Sequence, residues 1–275
     1  MATKDELGDR MKDYERRETA RRFFPSLPVY ARIDGRGFSK FTKGMERPFD
    51  PRMTEAMIVV AEYLVDKTHA KIGYVQSDEI SLVWEAPDYE SDIFFSGKIV
   101  KMTSVLASMA AARMAHAIRY WEPFNDRLPA FDARVCQLPH PWEAANMFLW
   151  RNLDCQKNAA SMACRAQYSS GQMHGKGRQA MIDMITEKGV VFADYPEAFR
   201  LGTFVRKETV KRPLTPAEAA RIPAAQRPAR LEDTSVVRSS MTRLSVPPLQ
   251  RIVNRTAFIM AGADPIERDY GDAAG

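Results

Sequence analysis

The sequence predicts an α+β protein with a ferredoxin-like βαββαβ core and a mostly helical C-terminal region. Three observations predict it. A β-prone alternating segment at residues 29–33 is followed by a helix start at Asp50-Pro51. Two short apolar runs, residues 72–75 and 80–84, flank the tight Gln76-Ser77-Asp78-Glu79 segment like the arms of a hairpin. A long Ala- and Met-rich stretch, residues 93–120, precedes a further strand at 133–138 that Pro139 closes. In order these read β, α, β, β, α, β.

Taken along the chain, residues 5–22 form a charged helix that Pro25 and Pro28 end. The strand at 29–33 runs into the turn-forming Asp34-Gly35-Arg36-Gly37. Asp50 supplies an N-cap and Pro51 the first position of a helix reaching about Thr68. This order is the core of the polymerase palm and of nucleotide cyclases. In the second half, residues 142–168 form one or two helices, 171–177 a glycine-containing loop, 178–188 a helix and 201–208 a strand. Residues 211–233, rich in Pro and Ala, read as an exposed excursion. A last helix at 248–260 precedes an acidic tail. The expected division is a catalytic core with an N-terminal helix over residues 1–140. Residues 141–275 are helical with added strands and complete the same globular unit.

Composition narrows the function classes. The chain has 275 residues, 45% hydrophobic and 27% charged, an ordinary globular balance. It holds no apolar run of membrane-spanning length and no apolar signal core near its start, so the expected setting is cytoplasmic, with no membrane partner. Three cysteines, Cys136, Cys155 and Cys164, form no CxxC pair, which argues against a disulfide framework or a structural zinc. The four histidines show no ligand spacing. A net charge of +5, with basic clusters at Arg16-Arg17, Arg21-Arg22, Arg206-Lys207 and Lys211-Arg212, suits nucleotide or RNA phosphates or a solvated face.

The chemistry points to carboxylates. Asp34 ends the first strand, and Asp78 and Glu79 sit in the hairpin turn. A βαββαβ sheet brings Asp34 and Asp78 to one end, where like charges repel unless a cation neutralises them. Mg²⁺ is held by one or two carboxylates plus substrate phosphates, and two such ions serve phosphoryl chemistry. Gly35 permits a close backbone approach, and its carbonyl is a further candidate ligand. Strand alternation sends Glu79 to the face opposite Asp78, as a supporting or surface residue. Arg32, Arg36, Lys40 and Arg47 lie near Asp34 in sequence, and Lys98 opens the long helix; all suit a triphosphate, although Lys40 and Lys43 read better as surface charges.

Several of these stretches resemble a known family. "ARIDGRGFSKFT" at 31–42 and "GYVQSDEISLVW" at 73–84 are similar to signatures of the tRNA-His guanylyltransferases and their bacterial, archaeal and phage relatives. Weaker agreement continues through "RPFD", "FDARV", "WRNLDCQKN" and "FRLGTFVRKE". The resemblance implies a palm-like catalytic domain, addition in the 3′–5′ direction at an RNA 5′ end, GTP and ATP as substrates, two Mg²⁺ ions and a homotetramer. It makes Asp34 and Asp78 metal ligands, with the Gly35 carbonyl helping, and Glu79 the third acidic residue. It places Arg47, Asp50 and Ser77 near a bound triphosphate and makes Lys98 a basic residue that helps phosphates; Arg32, Arg36, Gly37 and Phe38 complete the expected nucleotide-binding set. Eukaryotic members carry His-Ile-Asn-Asn-Leu-Tyr-Asn, tied to anticodon reading, where this chain has residues 156–162; only Asn158 fits. That departure favours template-dependent 5′-end repair of tRNA or tRNA-like RNA over strict tRNA-His specificity.

Three function classes compete at this level. A nucleotide cyclase-like signalling synthase would share the palm and its metals. A non-catalytic RNA-binding module would gain nothing from clustered carboxylates. Basic helices and a large C-terminal region favour the RNA 5′-end nucleotidyltransferase.

Overall fold

The computed structural model describes residues 6–227 and 234–268, so Asp5, residues 228–233 of the expected excursion and the tail from 269 lie outside the described residues. The helices and strands are, in order, α1 (Glu6–Thr19), β1 (Val29–Gly35), α2 (Phe38–Phe41), α3 (Pro51–Thr68), β2 (Ile72–Gln76), β3 (Glu79–Trp84), α4 (Ile99–Ile118) and β4 (Phe131–Gln137). The second half adds α5 (Pro141–Arg165), α6 (Ser170–Met173), α7 (Arg178–Thr186), α8 (Glu197–Arg200), β5 (Thr203–Pro213), α9 (Pro216–Ala220), β6 (Ser235–Leu244) and α10 (Arg255–Ala261).

The strands form one six-stranded antiparallel sheet in the order β4-β1-β3-β2-β5-β6. Its first four members have the ferredoxin-like arrangement that the βαββαβ order predicts. Alternation sorts the side chains onto two faces. Ala31, Ile33, Ile80 and Leu82 pack under α3 and α4, while Tyr30, Tyr74, Val83 and Phe204 pack under α5 and α10. A third cluster lies beyond the sheet, where Ala159, Ala160, Ala163 and Cys164 of α5 meet Met173, Ile185 and Phe199. Small residues on that stretch of α5 let α7 and α8 approach it closely.

Local chemistry sets the element ends. Asp50 accepts the Arg52 N–H at 3.0 Å, and Pro51 occupies the first turn of α3. The expected N-terminal helix stops at Thr19, because residues 21–23 turn aside into an extended bridge with residues 97–99. The long helix likewise starts at Ile99, after a 3-10 turn at Phe94–Gly97. The expected last helix is divided by extended Ile252 into a 3-10 turn at Leu249–Arg251 and α10.

The expected excursion is partly built. β5 runs on to Pro213 and pairs with β6 from Pro213↔Ser235 to Phe204↔Leu244. Thr215 and Glu218 cap α9 reciprocally, and Glu218 also binds Arg212 and Arg238, fastening the hairpin tip. At the other end of the hairpin, Arg243 grips Glu55 and Glu62 of α3.

Candidate active site

The loop between β2 and β3 is only two residues, Ser77 and Asp78, closed by the Gln76↔Glu79 pair. Ser77 takes a left-handed conformation, φ 48°, and its hydroxyl donates to an Asp78 carboxylate oxygen at 3.0 Å. β1 ends beside this loop. Asp34 pairs with Glu79 across β1 and β3, and the Gly35 N–H donates to the Asp78 carbonyl oxygen at 3.0 Å. A Cβ on Gly35 would overlap the buried Phe38 ring, so the close approach needs glycine there. The sheet thus brings Asp34 and Asp78 to one end, as their positions in the sequence predict.

Two adjoining cavities open at this end. The first lies between α3 and α5; Phe38, Arg47, Phe49, Asp50, Ser77, Asp78, Asn158, Met162, Arg165 and Phe199 are among its walls. Phe49 stacks on Phe199 with ring centroids 4.7 Å apart. The second cavity is more polar and is walled by Arg32, Asp34, Asp78, Glu79, Arg151, Asp154, Ser161 and Arg165. Ser77, Asp78, Asn158, Met162 and Arg165 line both, so Asp78 stands on the rim they share.

The electrostatics favour a cation. Burial raises the Asp78 carboxyl above its ordinary value; the Ser77 hydroxyl opposes that shift, while the charges of Asp34 and Glu79 add to it. A divalent ion would relieve this repulsion. Two carboxylates and the neighbouring Gly35 carbonyl are a donor set that fits Mg²⁺, which leaves its other positions to water and phosphate oxygens. Among the described residues no group of three or more His, Cys, Asp or Glu side chains forms a metal cage.

Of the two places expected for Glu79, supporting or surface, the structure excludes the surface. It shares the sheet face of Asp34 and is buried. Arg151 Nε and Nη2 donate to its two carboxylate oxygens at 2.7 and 2.8 Å, and Gln76 Nε2 adds a third bond at 3.0 Å. Arg32 Nε lies 3.9 Å from the same carboxylate, and its guanidinium sits 5.7 Å from the Trp150 ring centroid. That Nε is buried without a hydrogen-bond partner.

The remaining expected ligands divide. Arg47 and Ser77 are exposed on the first cavity. Asp50 lines it too, but its carboxylate is occupied by the Arg52 backbone and guanidinium. Those bonds hold its carboxyl below the usual carboxylate range despite burial. Arg36 and Gly37 are exposed just past β1 and line neither cavity; Gly37, φ 67°, begins α2. Lys98 is not brought to the acids. β3 runs from Glu79 to Trp84, so the helix after it must start at the far end of the sheet, where Phe94 stacks on Trp84 and Lys98 bridges Arg22. Two of the basic clusters are also engaged internally. Arg206 is buried on Glu208, Lys207 pairs with Asp66, and Arg212 with Glu218.

Sequence reasoning missed the contribution of α5. Arg151, Asp154, Asn158, Ser161 and Arg165 all line one cavity or both. Their spacing of three and four residues puts them on one face of a helix otherwise rich in Ala and Cys. That polar stripe was the available signal.

Known proteins resemble this chain in sequence and in fold. A family model for tRNAHis guanylyltransferase matches residues 8–139. A bacterial tRNA(His) guanylyltransferase-like protein, solved in complex with ATP, is 36% identical, with a TM-score of 0.68 over 74% of this chain and 87% of its own. A bacterial protein of the same type, solved in complex with GTP, is 33% identical, with a TM-score of 0.60 over 74% of this chain and 85% of its own. The tRNA(His) guanylyltransferase of Neurospora crassa is 27% identical, covering 66% of this chain and 67% of the relative. A chain with this sheet, these carboxylates and these relatives belongs to the tRNA(His) guanylyltransferase-like family and is a nucleotidyltransferase.

Proposed function

We propose that the chain adds nucleotides in the 3′–5′ direction to the 5′ end of tRNA or a tRNA-like RNA. The observation that carries this reading is Asp78 on the rim shared by two cavities, one with a stacked aromatic wall and one polar, with Asp34 beside it. Such a rim suits a reaction between two phosphate-bearing groups. The aromatic cavity suits a base and its triphosphate, with Arg47 and Arg165 exposed at its walls to meet phosphates. ATP and GTP, the nucleotides in complex with the bacterial relatives, are the proposed substrates.

In this reading Asp34, Asp78 and the Gly35 carbonyl hold Mg²⁺, two ions in all, which when bound lower the cost of charge on the attacking and leaving oxygens. Arg32, lining the polar cavity beside Asp34 with a buried Nε that makes no hydrogen bond, is the residue proposed to meet a phosphate or the RNA 5′ end. Ser77 holds the Asp78 carboxylate in place through its hydroxyl.

Selection of the incoming nucleotide is proposed to come from pairing with the opposing RNA strand. The anticodon-associated motif is replaced at residues 156–162, and there Gln156 is buried, bonded to Asn152 and Gln250. A side chain so engaged is not presented for reading a base. Residues 1–140 and 141–275 are proposed to act as one unit, in a cytoplasmic homotetramer. The reading is supported by the site and the relatives, and is tested with each of the four triphosphates on a tRNA lacking its first nucleotide. Labelled product at the 5′ end supports it; a cyclic product formed without RNA would replace it.

A further inference from the structure

The bidentate ion pair between Arg151 and Glu79 has no direct place in the chemistry proposed above. Both side chains are buried, and Arg151 is turned onto two carboxylates. It donates to both Glu79 oxygens and to Asp154 at 2.7 Å, and its guanidinium lies 4.5 Å from the Trp150 ring centroid. With Nε and Nη2 so engaged, the guanidinium is fixed on Glu79 and Asp154. Replacing a buried ion pair with apolar side chains often costs little stability, so its presence asks for a reason other than stability.

The reason lies in what the pair holds. Gln76 and Glu79 are the two residues that close the loop carrying Asp78. Their side chains are bonded to each other, and Arg151 reaches across from α5 to bind Glu79. The loop is therefore clamped at its base, and its position relative to α5 is fixed. The pair also governs charge. Glu79 stands directly opposite Asp34 and adds to the field felt by Asp78. Without Arg151, three carboxylates would share one end of the sheet with one of them free to turn.

Resting on the reading of Asp34 and Asp78 as a metal site, we infer that Arg151 is a positioning residue for that site, acting through Glu79. Glu79 is then the anchor of the Asp78 loop and not a ligand itself. Lysine keeps the charge but cannot chelate both Glu79 oxygens.

The experiment uses the full chain and two readouts. Mn²⁺ affinity is measured by EPR without nucleotide or RNA, and kcat and KM for ATP are measured with 5′-truncated tRNA. For Arg151→Lys the inference expects Mn²⁺ affinity to fall about 10-fold or more and kcat about 100-fold, with KM within about 3-fold of wild type. A cycle with Glu79→Gln and Arg151→Met guards against a fold defect in any single variant. If Arg151 acts through Glu79, the double variant loses no more than the worse single variant. Wild-type Mn²⁺ affinity in Arg151→Lys, or losses that multiply in the double variant, would overturn the inference while leaving the metal reading intact. No Mn²⁺ binding by the wild-type chain would overturn the metal reading and this inference with it.

Discussion

Gly35 donates its backbone N–H to the Asp78 carbonyl oxygen at 3.0 Å, tying the end of β1 to the two-residue loop between β2 and β3. Through this one bond, two segments more than forty positions apart in sequence set the spacing of Asp34 and Asp78. The contact tolerates no side chain, because the Phe38 ring occupies the space a Cβ would need.

Gly35→Ala is therefore expected to push Phe38 or the β1 end aside. Overpacking of this kind costs about 1–3 kcal/mol. Thermal unfolding should show that loss, and nucleotide transfer should fall further than the fraction unfolded explains. A variant with wild-type melting and wild-type transfer would show that the approach is not constrained.

Asp34→Asn and Asp78→Asn should each lower transfer by about 10³-fold or more, several kcal/mol of transition-state stabilisation. Stability should hold or rise, since each change removes a like charge from the cluster. The check is single-turnover transfer with Mg²⁺ alongside thermal melting. Near wild-type rates in either folded variant would sink the assignment.

Asp50 is expected to act first as a helix cap. Asp50→Ala should cost about 0.5–2 kcal/mol. Because Arg52 holds the Asp50 carboxyl below its ordinary value, its contribution is fully present above the unfolded carboxyl's pKa, about 4, and is lost as pH falls through the lower folded value. Asn caps without titrating, so the wild-type advantage over Asp50→Asn should shrink below about pH 4. A constant difference from pH 7 to pH 3 would contradict this.

Affinity for tRNA should fall with salt, each neutralised phosphate adding about −0.7 to −0.9 to the slope of log K against log salt. Arg206, Lys207 and Arg212 are held by Glu208, Asp66 and Glu218, so alanine at these positions should leave the slope unchanged. Arg165, exposed where both cavities meet, should reduce it when changed to alanine. A flat dependence in the wild-type chain would count against a grip on the RNA backbone.

The legible parts of the fold are those where local chemistry and periodicity agree. Asp50-Pro51 announces a helix start, and the short turn between two apolar runs announces a hairpin, so the end of the sheet where Asp34 and Asp78 meet follows from topology. What escaped is held by distant partners. β6 carries exposed residues along most of its length and shows no apolar alternation; it is a strand because β5 pairs with it. Lys98 looked close to phosphates because it opens a helix, yet sheet direction sends it to the far end. Arg206 reads as a surface cation in the sequence and is buried because Glu208, two residues on, shares its face. Alternation from Asp78 leaves Glu79 as a supporting or surface residue, but Asp78 belongs to the loop, so the alternation begins at Glu79, which is buried.

The central claim is templated addition at the 5′ end, and one measurement tests it most directly. A set of tRNAs lacking the first nucleotide, with the opposing base varied through all four and the anticodon either His or another, is incubated with each labelled triphosphate. The account predicts that the complementary nucleotide is added at the 5′ end in every case, whatever the anticodon. Addition of GTP alone, blind to the opposing base and dependent on a His anticodon, would contradict it, and extension at the 3′ end would contradict the direction itself.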